Sequence, residues 1–443
     1  MMKESKYNFF YDYPKELGKL IAYNSRTNAL ALIEKENYEK YRNYIEKSIL
    51  IDDEKLIEDL RRGGFLIDEN IDELEILKYN LLTNRYSSKH LSLSIAPTLD
   101  CNFACIYCYE KGKRKELYMS QEVQDAIVNY VDEQSNNISN LTIAWYGGEP
   151  LLALDIIDSI TKKVLKICKK KDIRYSSMIV TNGYNLTKEV SKKIREFRLY
   201  SIQVTIDGPE DIHNSRRPLK NGQPSFHTII KNLYENIDIL PDVSLRINVD
   251  KKNADRIDEV LNILKDYQLE QKVYPYPGYV EPTNDCYSLD NCLSFIDFSH
   301  FDYEFQSKLV DNGFMTNFQN RYPILKTNFC GADSMNSIVI DSKGDLYKCW
   351  SDIGRDEYKI GNIIDKKLLN IATYTNYMLY DATQDSDCIN CNILPLCMGG
   401  CPRRRIDKIV DRCGLYKYVL DKYIETITFN LIENLESKKR FCK

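Results

Sequence analysis

Cys101-Asn102-Phe103-Ala104-Cys105-Ile106-Tyr107-Cys108 carries three thiols in a C-x3-C-x2-C spacing. Three thiolates on one tight loop can hold three irons of a [4Fe–4S] cluster and leave the fourth iron without a protein ligand. A substrate-binding cluster needs that open iron, and a four-cysteine electron-transfer cluster lacks it. Zinc is the other metal that closely spaced thiols serve. The loop follows Leu91–Ala96, an apolar run that reads as a strand, and α/β sites form at the carboxyl ends of strands.

A second cysteine system lies near the C-terminus. Cys330 is followed at a distance by Gly344 and Cys349, then by Cys388, Cys391, Cys397 and Cys401 in a C-x2-C-x5-C-x3-C run, and finally by Cys413. On spacing alone, Cys388 and Cys391 with their neighbours also fit a zinc ribbon. Cys286 and Cys292 form a looser pair upstream, Cys168 falls inside a helical pattern, and Cys442 is near the end. Arg403-Arg404-Arg405 reads as a solvated basic face, and His213, His227 and His300 have no ligand spacing.

The rest of the composition narrows the chemistry. Fourteen cysteines in 443 residues is a high count, yet Met1-Met2-Lys3-Glu4-Ser5-Lys6 lacks the plan of a signal peptide. Metal ligation therefore explains the thiols better than disulfides, and a cytoplasmic location is expected. A net charge of -4 offers no basic field for nucleic acid. No apolar run has the roughly 18 residues of a membrane helix.

The elements that must position these groups alternate. Strand candidates at Leu91–Ala96, Leu141–Tyr146, Met178–Val180, Ile202–Ile206, Val243–Val249 and Lys272–Tyr276 are separated by helical stretches such as Gln121–Val131 and Asp155–Lys169. This order predicts an α/β fold with a parallel sheet of six strands, a partial barrel. The first ninety residues read differently, as three short strands (Phe9–Tyr11, Gly18–Tyr23, Ala29–Ile33) followed by three helices, like a winged-helix module. They hold no cysteine, so a chain starting near Ser88 is expected to keep its metal centres.

The first cysteine loop resembles the radical S-adenosylmethionine (SAM) family. In that family the open iron chelates SAM, whose reductive cleavage yields a 5′-deoxyadenosyl radical that abstracts hydrogen. The resemblance implies that Tyr107 lies against adenine. It also implies that Gly147-Gly148-Glu149, after the second strand, holds the SAM amino group. Thr181-Asn182-Gly183 and Gln203–Pro209 resemble the following strand ends around SAM. Arg246 and Asn248 alternate on the fifth strand, facing either SAM or a buried partner.

The C-terminal cysteines resemble the seven-cysteine pattern of the SPASM domain. By that pattern Cys388, Cys391, Cys397 and Cys413 hold one auxiliary [4Fe–4S] cluster, and Cys330, Cys349 and Cys401 hold another. The fourth position of the latter is filled by Cys286 or Cys292, or stays open for a substrate thiolate.

The resemblance thus implies a partial (β/α)6 radical SAM barrel over 89–310. A winged-helix-like recognition element for a precursor-peptide leader precedes it over 1–88, and a SPASM domain with a C-terminal helix follows over 311–443. Three [4Fe–4S] clusters, SAM and an external donor of flavodoxin or ferredoxin type complete the expectation. The whole is similar to maturases that install cysteine sulfur-to-carbon thioethers in ribosomally made peptides. Carbon–carbon cross-linking is an alternative, as is side-chain oxidation of the sulfatase-maturing type. Sulfatase-maturing enzymes carry an aspartate where Trp350 follows Cys349. A non-catalytic iron–sulfur carrier or peptide-binding scaffold is the alternative from another class.

Overall fold

The computed structural model describes residues 2–110, 117–281, 287–314, 321–409 and 411–441. Two compact units are present, one of Met1–Arg85, Thr316–Phe329 and Tyr380–Lys443, the other of Tyr86–Met315 and Cys330–Leu379.

The first unit begins with strands β1 (Met2–Glu4), β2 (Asn8–Asp12), β3 (Lys19–Asn24) and β4 (Ala29–Glu34). Helices α1 (Lys35–Lys47) and α2 (Glu54–Arg62), strand β5 (Leu66–Asp68) and helix α3 (Glu73–Arg85) follow. Strands β2, β3 and β4 form an antiparallel sheet in that order, and β1 pairs with β5. The turn between β3 and β4 is made by Asn24, whose side-chain oxygen accepts from the Arg26 and Thr27 amides. Helix α2 starts where Asp53 accepts from the Leu56 amide.

Side-chain alternation along β3 sends Leu20 and Ala22 into a core with Tyr41, Leu56 and Leu60 of the helical layer and with Phe65, just before β5. Ile21 and Tyr23 point to the opposite face. Both faces of β3 are therefore buried, which a half-solvated sheet would not show.

The second unit holds the expected alternation. Strands β6 (His90–Ile95), β7 (Asn140–Trp145), β8 (Arg174–Thr181), β9 (Leu199–Thr205), β10 (Asp242–Val249) and β11 (Val273–Tyr279) run parallel, each beside the next. Helices α4 (Gln121–Gln134), α5 (Leu154–Lys171), α6 (Lys188–Ile194), α7 (Glu210–Arg216), α8 (Phe226–Asn236) and α9 (Ile257–Asp266) lie between the strands, and α10 (Phe295–Asp311) follows the last. Their apolar faces, such as Val123, Ile127 and Val131 of α4, pack on Leu91, Leu93, Ile143 and Ile179 of the strands.

The sheet continues past the barrel strands. Strand β12 (Ser337–Ile340) pairs parallel with β6, and β13 (Asp345–Tyr347), β14 (Gly361–Asn362) and β15 (Lys367–Leu368) add antiparallel, before helix α11 (Ile371–Met378). The chain then returns to the first unit, with α12 (Leu394–Cys397), α13 (Pro402–Ile406) and α14 (Tyr416–Phe441). The stretch 311–443, expected as one domain, thus contributes residues to both units. No described helix is long and apolar enough to cross a membrane.

Candidate active site at the strand ends

The cysteine loop after β6 is held in place by backbone pairing. Ala104 donates to the Pro218 carbonyl (2.8 Å), Ile106 to that of Arg216 (3.0 Å), and Lys220 to that of Asn102 (2.9 Å). From the other side, the Gly148 amide donates to Thr98 (3.2 Å) and the Glu149 amide to Asp100 (2.8 Å). Gly147 has φ +116°, and a β-carbon on it would lie 2.6 Å from the Thr98 oxygen; one on Gly148 would lie 2.0 Å from the Asp100 oxygen. The glycine pair is thus required by the approach of the backbone that carries Cys101. Gly148→Ala is expected to displace that loop and lower 5′-deoxyadenosine release on the order of 100-fold, the effect of a misplacement near 1 Å. Iron counting on the same variant should show about a third of the iron lost.

A cavity of about 350 Å³ opens at these strand ends, lined by all three thiols. Cys101 and Cys105 are buried and Cys108 is half-buried. Tyr107, Gly147, Gly148, Thr181, Asn182 and Arg246, all singled out in the sequence, also line it.

Glu149 is different. Its buried carboxylate accepts from Thr181 Oγ1 (2.7 Å), the Asn182 amide (2.7 Å) and the Leu151 amide (3.0 Å), and it is not part of the cavity wall. Burial pushes its carboxyl up, against those hydrogen bonds. Glu149 acts as a clamp between the ends of β7 and β8. Asn182, so placed, donates from Nδ2 to Asn102 Oδ1 (2.7 Å) and lies 4.0 Å from Cys101 Sγ.

Tyr107 is pinned by groups the spacing did not single out. Its hydroxyl donates to Asp207 and accepts from Arg217 (2.9 Å) and Asn248 (2.9 Å), while the Arg216 guanidinium sits 5.0 Å over its ring. Arg216 binds Asp207 (3.2 Å) and Asp250 (2.6 Å), all three buried. Burial alone would push the Asp207 carboxyl up, but Arg217 and Arg216 outweigh it and hold the group below its usual range. Burial drives His213, whose Nδ1 accepts from the Asp207 amide, down to about 3, so it is neutral. Burial and Asp207 raise the Tyr107 phenol well above its usual value.

The signal that could have exposed this network is the dibasic Arg216-Arg217 before Pro218, together with Asp207-Gly208-Pro209 at a strand end. Arg246 donates to Asn248 (2.7 Å), so these two both face the cavity and partner each other.

The donor set fits the expected group. Among the described residues, Arg217 Nε is a buried donor with no partner of its own, beside Cys105 and on the cavity wall. Trp350, also on the cavity wall, packs against Tyr146 with ring centroids 4.3 Å apart and planes tilted by 34°, and donates its indole N–H to Ser94 (2.6 Å).

The auxiliary thiols fall in two places. In the second unit, buried Lys348 donates to the Ser334 (2.5 Å) and Ser337 (2.7 Å) carbonyls, tying the segment after Cys330 to the one carrying Cys349. Burial lowers that ammonium to about 8, against Asp333 and Cys330. In the first unit, the Cys391 amide donates to the Cys388 carbonyl (3.0 Å), the Gly414 amide to Cys397 Sγ (3.3 Å), and Lys417 to Cys391 Sγ (3.7 Å). Cys413 there is close enough to Cys397 and Cys391 to feel both. Burial pushes the Cys388 thiol up to about 12 and raises those of Cys397 and Cys413.

Cys401 pairs with Arg412 through its amide (2.9 Å) and belongs to the first unit. Cys292 is buried with its thiol toward the Ser288 carbonyl (3.5 Å), and Cys286 and Cys442 lie outside the described residues. The basic run is not a solvated face. Arg403 and Arg404 are buried, and Arg405 lies 3.5 Å over the Tyr380 ring.

Residues 95–278 match the radical SAM superfamily, and residues 330–392 match SPASM, an iron–sulfur cluster-binding domain. The chain is a radical SAM enzyme with a SPASM domain. The radical SAM domain binds a [4Fe–4S] cluster and SAM, and the SPASM domain binds further iron–sulfur clusters.

The enzyme is 28% identical to a cysteine-type anaerobic sulfatase-maturating enzyme of Clostridium novyi, over 77% of this chain and 97% of that protein. It is 24% identical to the radical SAM cyclopropyl synthase TigE of Paramaledivibacter caminithermalis, over 93% of this chain and 89% of that one. Its fold resembles native anSMEcpe with bound AdoMet and Cp18Cys peptide (TM-score 0.60, 21% identity, 77% of this chain and 99% of that one). It also resembles Streptococcus suis SuiB bound to precursor peptide SuiA (TM-score 0.54, 15% identity, 93% and 98%).

Proposed function

We propose that this radical SAM enzyme cross-links a ribosomally made precursor peptide, joining a cysteine sulfur to a carbon of another residue. The observation that carries the reading is Trp350. The cavity wall beside Cys349 is an indole packed against Tyr146, where the sulfatase-maturing type places an aspartate. The relative of that type from Clostridium novyi spans 77% of the chain, whereas TigE and SuiB span 93%.

When bound, SAM would supply, on one-electron reduction, a deoxyadenosyl radical that takes a carbon-bound hydrogen. As the sulfur–carbon bond forms, the thiol proton would leave to solvent and the surplus electron would pass to an auxiliary cluster. The chain's own residues hold the reactants. Tyr107 presents a ring fixed by Asp207, Arg217 and Asn248, Arg217 and Arg246 offer cationic donors in the cavity, and Trp350 closes the wall. Cys388, Cys391, Cys397 and Cys413 hold one auxiliary cluster. Cys330, Cys349 and Cys401 hold the other, completed by Cys286, Cys292 or a substrate thiolate. The total is three [4Fe–4S] clusters, fed by a donor of flavodoxin or ferredoxin type.

The leader pairs with β4. This outer strand of the three-stranded sheet reads Ala29-Leu30-Ala31-Leu32-Ile33, with no charge before Glu34 and with Ala31 and Leu32 exposed. Uncharged apolar edges are normally covered, and a peptide strand would cover this one.

Leu32→Lys should weaken leader binding about tenfold in fluorescence anisotropy, a loss of about 1.4 kcal/mol. Mass spectrometry of the reacted precursor should show one hydrogen pair lost and one alkylatable thiol consumed per bond. A hydrogen pair lost with every thiol still alkylatable would establish carbon–carbon linkage instead, the reading that the likeness to a cyclopropyl synthase favours. An unchanged precursor, with SAM cleaved, would overturn both.

A further inference from the structure

We infer that the N-terminal strands and α3 have a second role, as the scaffold on which the Cys388/Cys391/Cys397/Cys413 cluster is assembled. The inference rests on those four cysteines being cluster ligands. Ile21 and Tyr23, on the face of β3 turned away from α1 and α2, share a core with Ile393, Leu396, Cys397, Leu420 and Ile424. Cys397 is thus both an expected iron ligand and a member of that core.

A second core joins Tyr7, Leu77 and Leu81 to Leu394 and Met398, with Cys388 packed against it. Polar ties run to the same loop. Ser25 Oγ donates to the Asn392 carbonyl (2.5 Å), and Lys6 Nζ donates to the Ile389 carbonyl and to Asn390 Oδ1 (3.2 Å). Arg85 donates to the Tyr380 carbonyl, and the Tyr380 hydroxyl lies 3.9 Å from Cys388 Sγ.

A ligand loop of short turns has little structure of its own, and its geometry is set by what packs against it. Residues 388–398 are braced from the N-terminal side by two apolar cores and two polar side chains, Lys6 and Ser25, and Arg85 ties down the neighbouring Tyr380. Removing residues 1–85 should therefore cost this cluster as well as leader binding, contrary to the expectation for a chain starting near Ser88.

Two adjacent substitutions on one strand test the inference in the full chain. Ile21→Ala opens the core that contains Cys397, and Leu20→Ala opens the helix-facing core on the other side of β3. After anaerobic reconstitution, iron release to a ferrous chelator is followed. Ile21→Ala should release about a third of the iron several-fold faster than wild type, and Leu20→Ala should not. Should Ile21→Ala fail to fold, Lys6→Ala with Ser25→Ala removes only polar ties and should show the same faster fraction.

Equal release rates in all variants would overturn the scaffold role, as would equal acceleration by Leu20→Ala. Cys388→Ala with Cys391→Ala separates the two readings. Loss of a third of the iron there, with no acceleration in Ile21→Ala, sinks the scaffold alone. Full iron in the cysteine variant sinks the ligand assignment and the scaffold with it.

Discussion

Replacing Cys101, Cys105 and Cys108 together with alanine is expected to abolish SAM cleavage and remove about a third of the iron. The three thiols sit on one loop on the wall of one cavity, and that loop is tied by backbone pairing to 216–220 and to the glycine pair after β7. The auxiliary thiols belong to other segments, so the remaining two thirds of the iron should stay. The measurements are iron per chain and 5′-deoxyadenosine under reducing, anaerobic conditions. Cleavage persisting in the triple variant would show that SAM is bound and cut elsewhere.

Asp207→Asn should be nearly as damaging, although Asp207 carries no iron. It is the acceptor for Tyr107 and Arg216, and both Arg216 and Arg217 are buried near it. Removing the negative member of a buried ion network leaves uncompensated positive charge, at a cost of about 3–5 kcal/mol. The network also sets the ring of Tyr107, so cleavage should fall by at least ~100-fold, as for a misplacement near 1 Å. Asp211→Asn is the matched control. Asp211 is exposed and pairs with Arg256, and its loss should leave both thermal unfolding and SAM cleavage unchanged. Similar damage from both substitutions would mean that the Asp207 network is not what holds Tyr107.

Much of this arrangement was legible because local pattern and chemistry coincide there. Four of the six barrel strands were readable almost in full from apolar runs bounded by turn residues. Strand β8 looked shorter, as Met178–Val180, because its first half, Arg174-Tyr175-Ser176-Ser177, is largely polar, and β11 looked shorter because Pro275 and Pro277 interrupt it. Strand β11 lies at the edge of the sheet, where a proline removes no ladder bond on the open side. Helix α10 was missed, since Phe295, Phe298, Phe301 and Phe305 sit among acidic and polar residues with little amphipathic contrast. Strands β12 to β15 are two to four residues long, too short to carry a period.

The thiols and glycines of the site announced themselves by spacing. The Asp207, Arg216 and Arg217 network did not, because buried charge reads like any surface charge until its partners are known. Glu149 illustrates the converse. Its motif was visible, but whether its carboxylate reaches the cavity or braces Thr181 and Asn182 depends on a side-chain direction that no spacing encodes.

The shared core of β3 and the C-terminal loop has a consequence during synthesis. Tyr23 leaves the ribosome early, while Cys397, Leu420 and Ile424 come near the end. At ~5–20 residues per second, the roughly 370 residues between Tyr23 and Cys397 take ~20–75 s to emerge. Throughout that interval the Ile21 and Tyr23 face of a three-stranded sheet waits uncovered, beside the uncharged edge of β4. Newly made chains therefore pass through a window in which strand-to-strand association between nascent copies competes with completion of the fold. The yield of intact protein then depends on translation speed and chaperone capture as much as on the stability of the finished molecule.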